Sequence, residues 1–117
     1  MSKQILPQLM AVIQARKARP AEKSYTATLL HGGVDKIGGK ILEEAAEVVE
    51  AAAETGPQGR HHLIMETADL LYHLLVMLGH REIDLAEVED ELARRFGVSG
   101  LDEKAARSTP EDHRAEG

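Results

Sequence analysis

Five carboxylates in this chain are spaced as though they share a task. One stretch reads Glu43-Glu44-Ala45-Ala46-Glu47, and another, beyond Gly56-Pro57, reads Glu66-Thr67-Ala68-Asp69. If both are helical, a turn of about 100° per residue puts Glu44 and Glu47 on one face, and Glu66 and Asp69 likewise. A chain reversal at Gly56-Pro57 sets residues equidistant from the turn opposite each other. Glu44 then lies level with Asp69 and Glu47 level with Glu66, so the carboxylates can converge. From Leu63 to Leu78 the second stretch is apolar apart from Glu66, Thr67, Asp69 and His73, so its acids are expected to be partly buried. A buried carboxylate without a partner is costly, and clustered like charges raise one another's pKa values. A divalent cation removes both penalties, and an all-oxygen site suits Mg²⁺ or Mn²⁺ rather than zinc or copper. The plainer reading is a solvated acidic face, which Glu50 and Glu54 are expected to form.

Other chemistry-bearing residues carry less. Gly33 to Lys40 invites a phosphate-loop reading, but the position required for Lys is Gly39, and Lys40 is followed by Ile41 instead of Ser or Thr. Glycine punctuation before a helix explains the segment better. Lys36 and Lys40 remain candidates for substrate phosphate, with Lys40 one turn before Glu44 and able simply to pair with it. Ser24, Tyr25 and Thr26 offer hydroxyls at a helix start, where backbone N–H groups favour phosphate; an N-cap and a packing tyrosine are the structural roles for the same residues. No His has Glu three residues before it, so a di-iron bundle is a poor fit. His73, four residues after Asp69, is expected to be an internally satisfied core residue, or else to orient Asp69. His61, His62 and His80 are expected to be solvated.

The elements that must position these groups are helices. Leu6, Leu9, Met10 and Ile13 form one face of a helix over Ile5–Ala15, with Pro7 tolerated in its first turn. Ala18 to Lys23 reads as a linker. Ser24 caps a short helix through Leu30 that Gly32-Gly33 ends. Asp35 is the expected N-cap of a long helix to Thr55, and a further helix runs from about Gln58 to Gly79. Asp84 and Glu87 form a capping box opening a last helix, with Leu85, Val88, Leu92 and Phe96 inward and Gly97 closing it. No stretch alternates as a strand does. The fold class is all-α: one helical domain over residues 1–107, then a polar tail, 108–117, expected to be disordered.

Composition narrows the function classes. The chain has 117 residues, 43% hydrophobic, with one Phe, two Tyr and no Trp, which suits helices packed on helices. A formal net charge of −6 argues against nonspecific nucleic-acid binding. The absence of cysteine removes disulfides and thiolate chemistry. Neither a signal peptide nor a membrane span is readable, so a cytoplasmic protein is expected. The second acidic helix is apolar around most of its circumference and needs neighbours on several sides, which a homodimer with a four-helix core supplies.

The pattern Glu44-x-x-Glu47 followed by Glu66-x-x-Asp69 resembles the signature of the MazG-like nucleotide pyrophosphohydrolases. Within that group, further words are similar to the phosphoribosyl-ATP pyrophosphatase family: Ser24-Tyr25-Thr26-Ala27-x-Leu29, Lys40-x-x-Glu43-Glu44-Ala45-x-Glu47-Val48, Asp69 to Val76, and Ser99-Gly100-Leu101-x-Glu103-Lys104-Ala105. The resemblance spans roughly Leu6 to Arg107. It implies an all-α bundle and Mg²⁺-dependent attack of water between the α and β phosphates of a small nucleotide, as a step of histidine biosynthesis. It also implies metal ligation by Glu44, Glu47, Glu66 and Asp69, with Glu43 a further acid, and substrate contacts from Ser24, Tyr25 and Thr26. Lys104 and Arg107 would close over the nucleotide from a neighbouring subunit. Glu43 and Glu47 are the candidate catalytic acids, and which is base and which ligand stays open at this stage. The alternatives are a housekeeping nucleoside triphosphate pyrophosphohydrolase and a noncatalytic helical dimerisation module.

Overall fold

A computed structural model of the chain describes residues 4–19 and 24–97. Lys104, Arg107, the Ser99–Ala105 word, most of the expected linker and the tail 108–117 lie outside them. The described residues form α1 (Ile5–Ala18), α2 (Tyr25–Ala53), α3 (Gly56–His80) and α4 (Leu85–Phe96), with no strand among them. The chain divides into one unit that ends at Ile83 and another that begins at Asp84.

α2 is not one straight rod. Gly33 interrupts it with φ 73° and ψ −161°, a region open essentially to glycine alone. Neighbours show what the interruption does. Tyr25 meets His73, Gly33 lies beside His80, Gly38 beside Met77, and Glu44 is back at His73. A short limb, residues 25–32, therefore runs along α3, and a long limb, residues 34–53, returns antiparallel to it. The expected break at Gly32-Gly33 is real. Asp35 is a correction: it sits within the first turn after Gly33, not outside the helix as its cap. Ser24 caps the short limb as expected, its side chain accepting from the Ala27 N–H at 3.1 Å.

The turn between the long limb and α3 is tight, with Thr55 and Pro57 opening α3. A Cβ on Gly59 would come within 2.7 Å of the Glu54 backbone, so only glycine lets the two helices close this near their turn. The core of this unit is Met10, Ile13, Leu29, Ile37, Ala51, Leu75 and Val76. α1 covers the far end of α3, and its Lys17 ammonium donates to the His80 carbonyl at 2.6 Å, capping that helix end. Each large aliphatic side chain fully buried here contributes about 1.5–3 kcal/mol.

In the second unit, α4 opens with the expected capping box of Asp84 and Glu87 and ends on Gly97 at φ 61°. None of its residues is fully buried. Of the expected inward stripe, Leu85, Val88 and Phe96 are partly buried, whereas Leu92 is 46% exposed.

Candidate active site

The helix pair brings the acidic stretches to one level, as spacing alone implied, but the side chains do not meet at a single point. They sort into two groups.

At the end toward the turn, the Glu47 and Glu66 carboxyls face each other across the hairpin. The Glu47 carboxyl is pushed above its ordinary pKa chiefly by the Glu66 carboxyl within hydrogen-bonding reach, then by burial and by the charges of Glu66 and Glu43, with Lys40 opposing. When both carboxyls are ionised, this contact sets acceptor against acceptor. Consistently, Glu66 Oε1 is buried and has no hydrogen-bond donor, although an orphaned carboxylate oxygen is costly. Its Oε2 lies 3.3 Å from His62 Nε2, and His62 Nδ1 lies 3.0 Å from Glu54 Oε2. His62 is thus held between two acids, which corrects the expectation that it is merely solvated. The reason is local: His62 and Glu66 are one helical turn apart, and Glu54 sits just across the turn. The hydrogen bond with Glu54, more than any other influence, raises the His62 pKa.

At the other end Glu44 is buried, 7% exposed, and is held by His73. Its Oε1 accepts from His73 Nδ1 at 2.6 Å. The same nitrogen reaches the Asp69 main-chain carbonyl at 2.9 Å. His73 is therefore the internally satisfied core histidine expected from sequence, and the side chain it orients is Glu44 rather than Asp69. A donor outcompetes a second carboxylate as the partner of a buried acid. Asp69 itself is exposed, contrary to the expected partial burial. It stays electrostatically close: with Glu44 it raises the Tyr25 phenol above its ordinary pKa, an effect led by burial of that group and opposed by Lys40.

The three hydroxyls at the start of α2 all have internal partners. Ser24 is the cap, the Tyr25 hydroxyl meets His73 Nε2 at 3.1 Å, and Thr26 Oγ1 is bonded to the Tyr72 hydroxyl. Lys40 pairs with Glu43 at 3.3 Å rather than with Glu44, and the side chain of Lys36 lies over Gly32. Glu43 is 58% exposed at its side chain.

Among the described residues no three His, Asp or Glu side chains are gathered tightly enough to enclose one ion. The chemistry of the donors nevertheless fits a hard cation. Mg²⁺ keeps several waters and commonly takes only one or two protein carboxylates. Glu47 with the orphaned oxygen of Glu66 offers such a pair, and a cation between them would satisfy both.

Comparison with known proteins places this geometry. Residues 6–96 match the family described as phosphoribosyl-ATP pyrophosphohydrolase. A Rhodopirellula baltica protein named phosphoribosyl-ATP pyrophosphatase is 50% identical over 92% of this chain and 89% of its own length. Proteins of the same name from Geotalea daltonii and Trichlorobacter lovleyi are 51% and 56% identical, over 92% and 88% of this chain and 98% and 93% of their own lengths. With the family match spanning α1 to α4, the chain belongs to the phosphoribosyl-ATP pyrophosphohydrolase family.

Proposed function

We propose that this chain hydrolyses phosphoribosyl-ATP to phosphoribosyl-AMP and pyrophosphate, the second step of histidine biosynthesis. Within this family, the observation that carries the reading is the facing Glu47–Glu66 pair with its buried, donorless oxygen. Glu47 and Glu66 would hold Mg²⁺ or Mn²⁺, with Asp69 and Glu44 beside them. When bound, such an ion neutralises phosphate charge and lowers the pKa of a coordinated water.

The chain's own residues then have separable tasks. Phosphoryl transfer requires chiefly in-line placement of the attacking water and compensation of spreading charge. The water oxygen bonds to phosphorus, the bridging oxygen leaves with pyrophosphate, and a carboxylate accepts the water's proton. Glu43 is the candidate for that base: it is exposed and lies outside both acid groups. Lys40 beside it and Lys36 a turn earlier would meet phosphate oxygens.

The site is proposed to work in a homodimer. Leu42 and Val49, seven residues apart on the long limb, are 74% and 70% exposed, and Ile64 and Leu71, seven apart on α3, are 52% and 40% exposed. Apolar residues repeating on adjacent helices suit a second copy completing a four-helix core. Sedimentation at micromolar concentration should give a dimer. Among the described residues no helix is long and apolar enough to cross a membrane, and a cytoplasmic enzyme is the corresponding proposal.

The test is pyrophosphate release by the purified chain from phosphoribosyl-ATP and, separately, from ordinary nucleoside triphosphates. Turnover of phosphoribosyl-ATP that stops with a chelator and returns with Mg²⁺ is expected. Equal turnover of ordinary triphosphates would instead identify a housekeeping pyrophosphohydrolase.

A further inference from the structure

Both tyrosines of the chain pack on one histidine. Tyr72 and Tyr25 each meet the His73 ring edge-on, with centroids 4.9 and 6.0 Å away, and the two tyrosines stack at 6.2 Å. In a chain with only three aromatic residues of the Phe, Tyr and Trp class, this is a concentrated investment in fixing a single imidazole. The ring is 4% exposed. Its hydrogen bonds have a definite direction. Nδ1 faces the Glu44 carboxylate and the Asp69 carbonyl, both of which only accept, so Nδ1 carries a proton. Nε2 meets the Tyr25 hydroxyl at 3.1 Å, and in the neutral ring it accepts from it. The chain Tyr25–His73–Glu44 links the short limb, α3 and the long limb, seven residues along α3 from His80, where Gly33 folds α2 back on itself.

We infer that His73 and Tyr25 are positioning residues that aim the Glu44 carboxylate, His73 engaging Oε1 so that Oε2 is presented to a divalent cation. This rests on the metal reading above. Tyr25 belongs here in a supporting role: it fixes the ring's rotation through Nε2, and its word of sequence serves the acid rather than the nucleotide. Outer partners that orient a ligating carboxylate typically change metal affinity or activity by about 10–100-fold when removed.

Isosteres of the two ring nitrogens separate this role from simple packing. An asparagine places its amide nitrogen where Nδ1 sits, while a glutamine reaches toward the position of Nε2. His73→Asn therefore keeps the donor to Glu44 and loses Tyr25, and His73→Gln does the reverse. Calorimetric titration with Mn²⁺ alone, on folded protein with its Tm recorded, should show one saturable site in the parent chain. His73→Gln should weaken it about 10-fold or more, His73→Asn by clearly less, and Tyr25→Phe, which removes a single hydroxyl from a half-exposed side chain, by an intermediate amount. If the His73 variants do not fold, Tyr25→Phe against the parent chain decides the matter. A parent site that Tyr25→Phe and His73→Gln leave unchanged overturns the relay and spares the metal reading. A parent chain with no saturable Mn²⁺ site overturns the metal reading and the relay with it.

Discussion

The two ends of the acidic hairpin solve the same electrostatic problem in opposite ways. Around Glu44 the polar groups are held by protein partners: Glu44 Oε1 has His73, the imidazole has Tyr25, and aromatic rings pack on the cluster. Around Glu66 the satisfaction is incomplete, with one oxygen lacking a donor and a like-charged Glu47 facing it. A finished network is rigid and specifies position, whereas an unfinished one costs stability unless something else completes it. The contrast assigns to the first end the fixing of one carboxylate, Glu44, and to the second the pair left open for an ion. It is a contrast that single substitutions can break.

The largest effect is expected at the unfinished end. Glu47→Gln should lower turnover of phosphoribosyl-ATP roughly a thousandfold, the upper range for one electrostatic group in a site. In the metal-free chain the same change should raise Tm, because an amide donor replaces a repelling carboxylate beside Glu66. Lost activity with lost stability would mean that Glu47 belongs to the anchoring end instead. His73→Ala should show the reverse emphasis. It strands a buried carboxylate and should cost about 3 kcal/mol by urea denaturation, as breaking buried pairs does. Removing the exposed Glu54 partner of His62 by Glu54→Ala should change stability far less.

Gly33→Ala comes next. Forcing a Cβ into φ 73° and ψ −161° should cost about 1–3 kcal/mol. Because the short limb delivers Tyr25 to His73 but touches neither Glu47 nor Glu66 by any bond seen here, the loss should fall on the anchoring end. Hydrogen exchange should report it as loosened protection over residues 25–32, with the turn near Gly59 unaffected.

How far these regions could be read without coordinates follows the same division. The level pairing of Glu47 with Glu66 was legible because it depends only on helix pitch and on the position of Gly56-Pro57. The break at Gly33 was legible from its paired glycines, and the Asp84–Glu87 box from capping chemistry. The swing of Glu44 toward His73 was not. It requires the short limb to return alongside α3 and supply Tyr25, and helical periodicity is silent about which of two neighbouring levels a side chain chooses. Asp69 was expected to be partly buried because its neighbours are apolar, yet at the pitch of α3 it falls on an open side. His62 carried a readable signal, its four-residue spacing from Glu66, but proximity to a helix end suggested solvent instead.

The smallest effect concerns pH and belongs to the unfinished end alone. Hydrogen bonding to Glu54 raises the folded pKa of His62 above its ordinary value near 6.5. A base with a raised folded pKa contributes stability that is fully present below the unfolded value and is lost as pH climbs through the folded one. The Glu47 carboxyl, also raised, acts in the same direction from a lower starting point: its ionisation disfavours the fold as pH rises through about 4.5 and beyond. Metal-free protein should therefore lose a little stability as pH rises above about 6.5, and His62→Gln should flatten that part of the profile while leaving the acidic part in place. Because His62 is partly solvated, with 40% of its side chain exposed, screening should keep the slope shallow, and added salt should reduce it further. A slope that survives His62→Gln would transfer the titration elsewhere, and the bracing of Glu66 by His62 would then count for nothing in the fold's energetics.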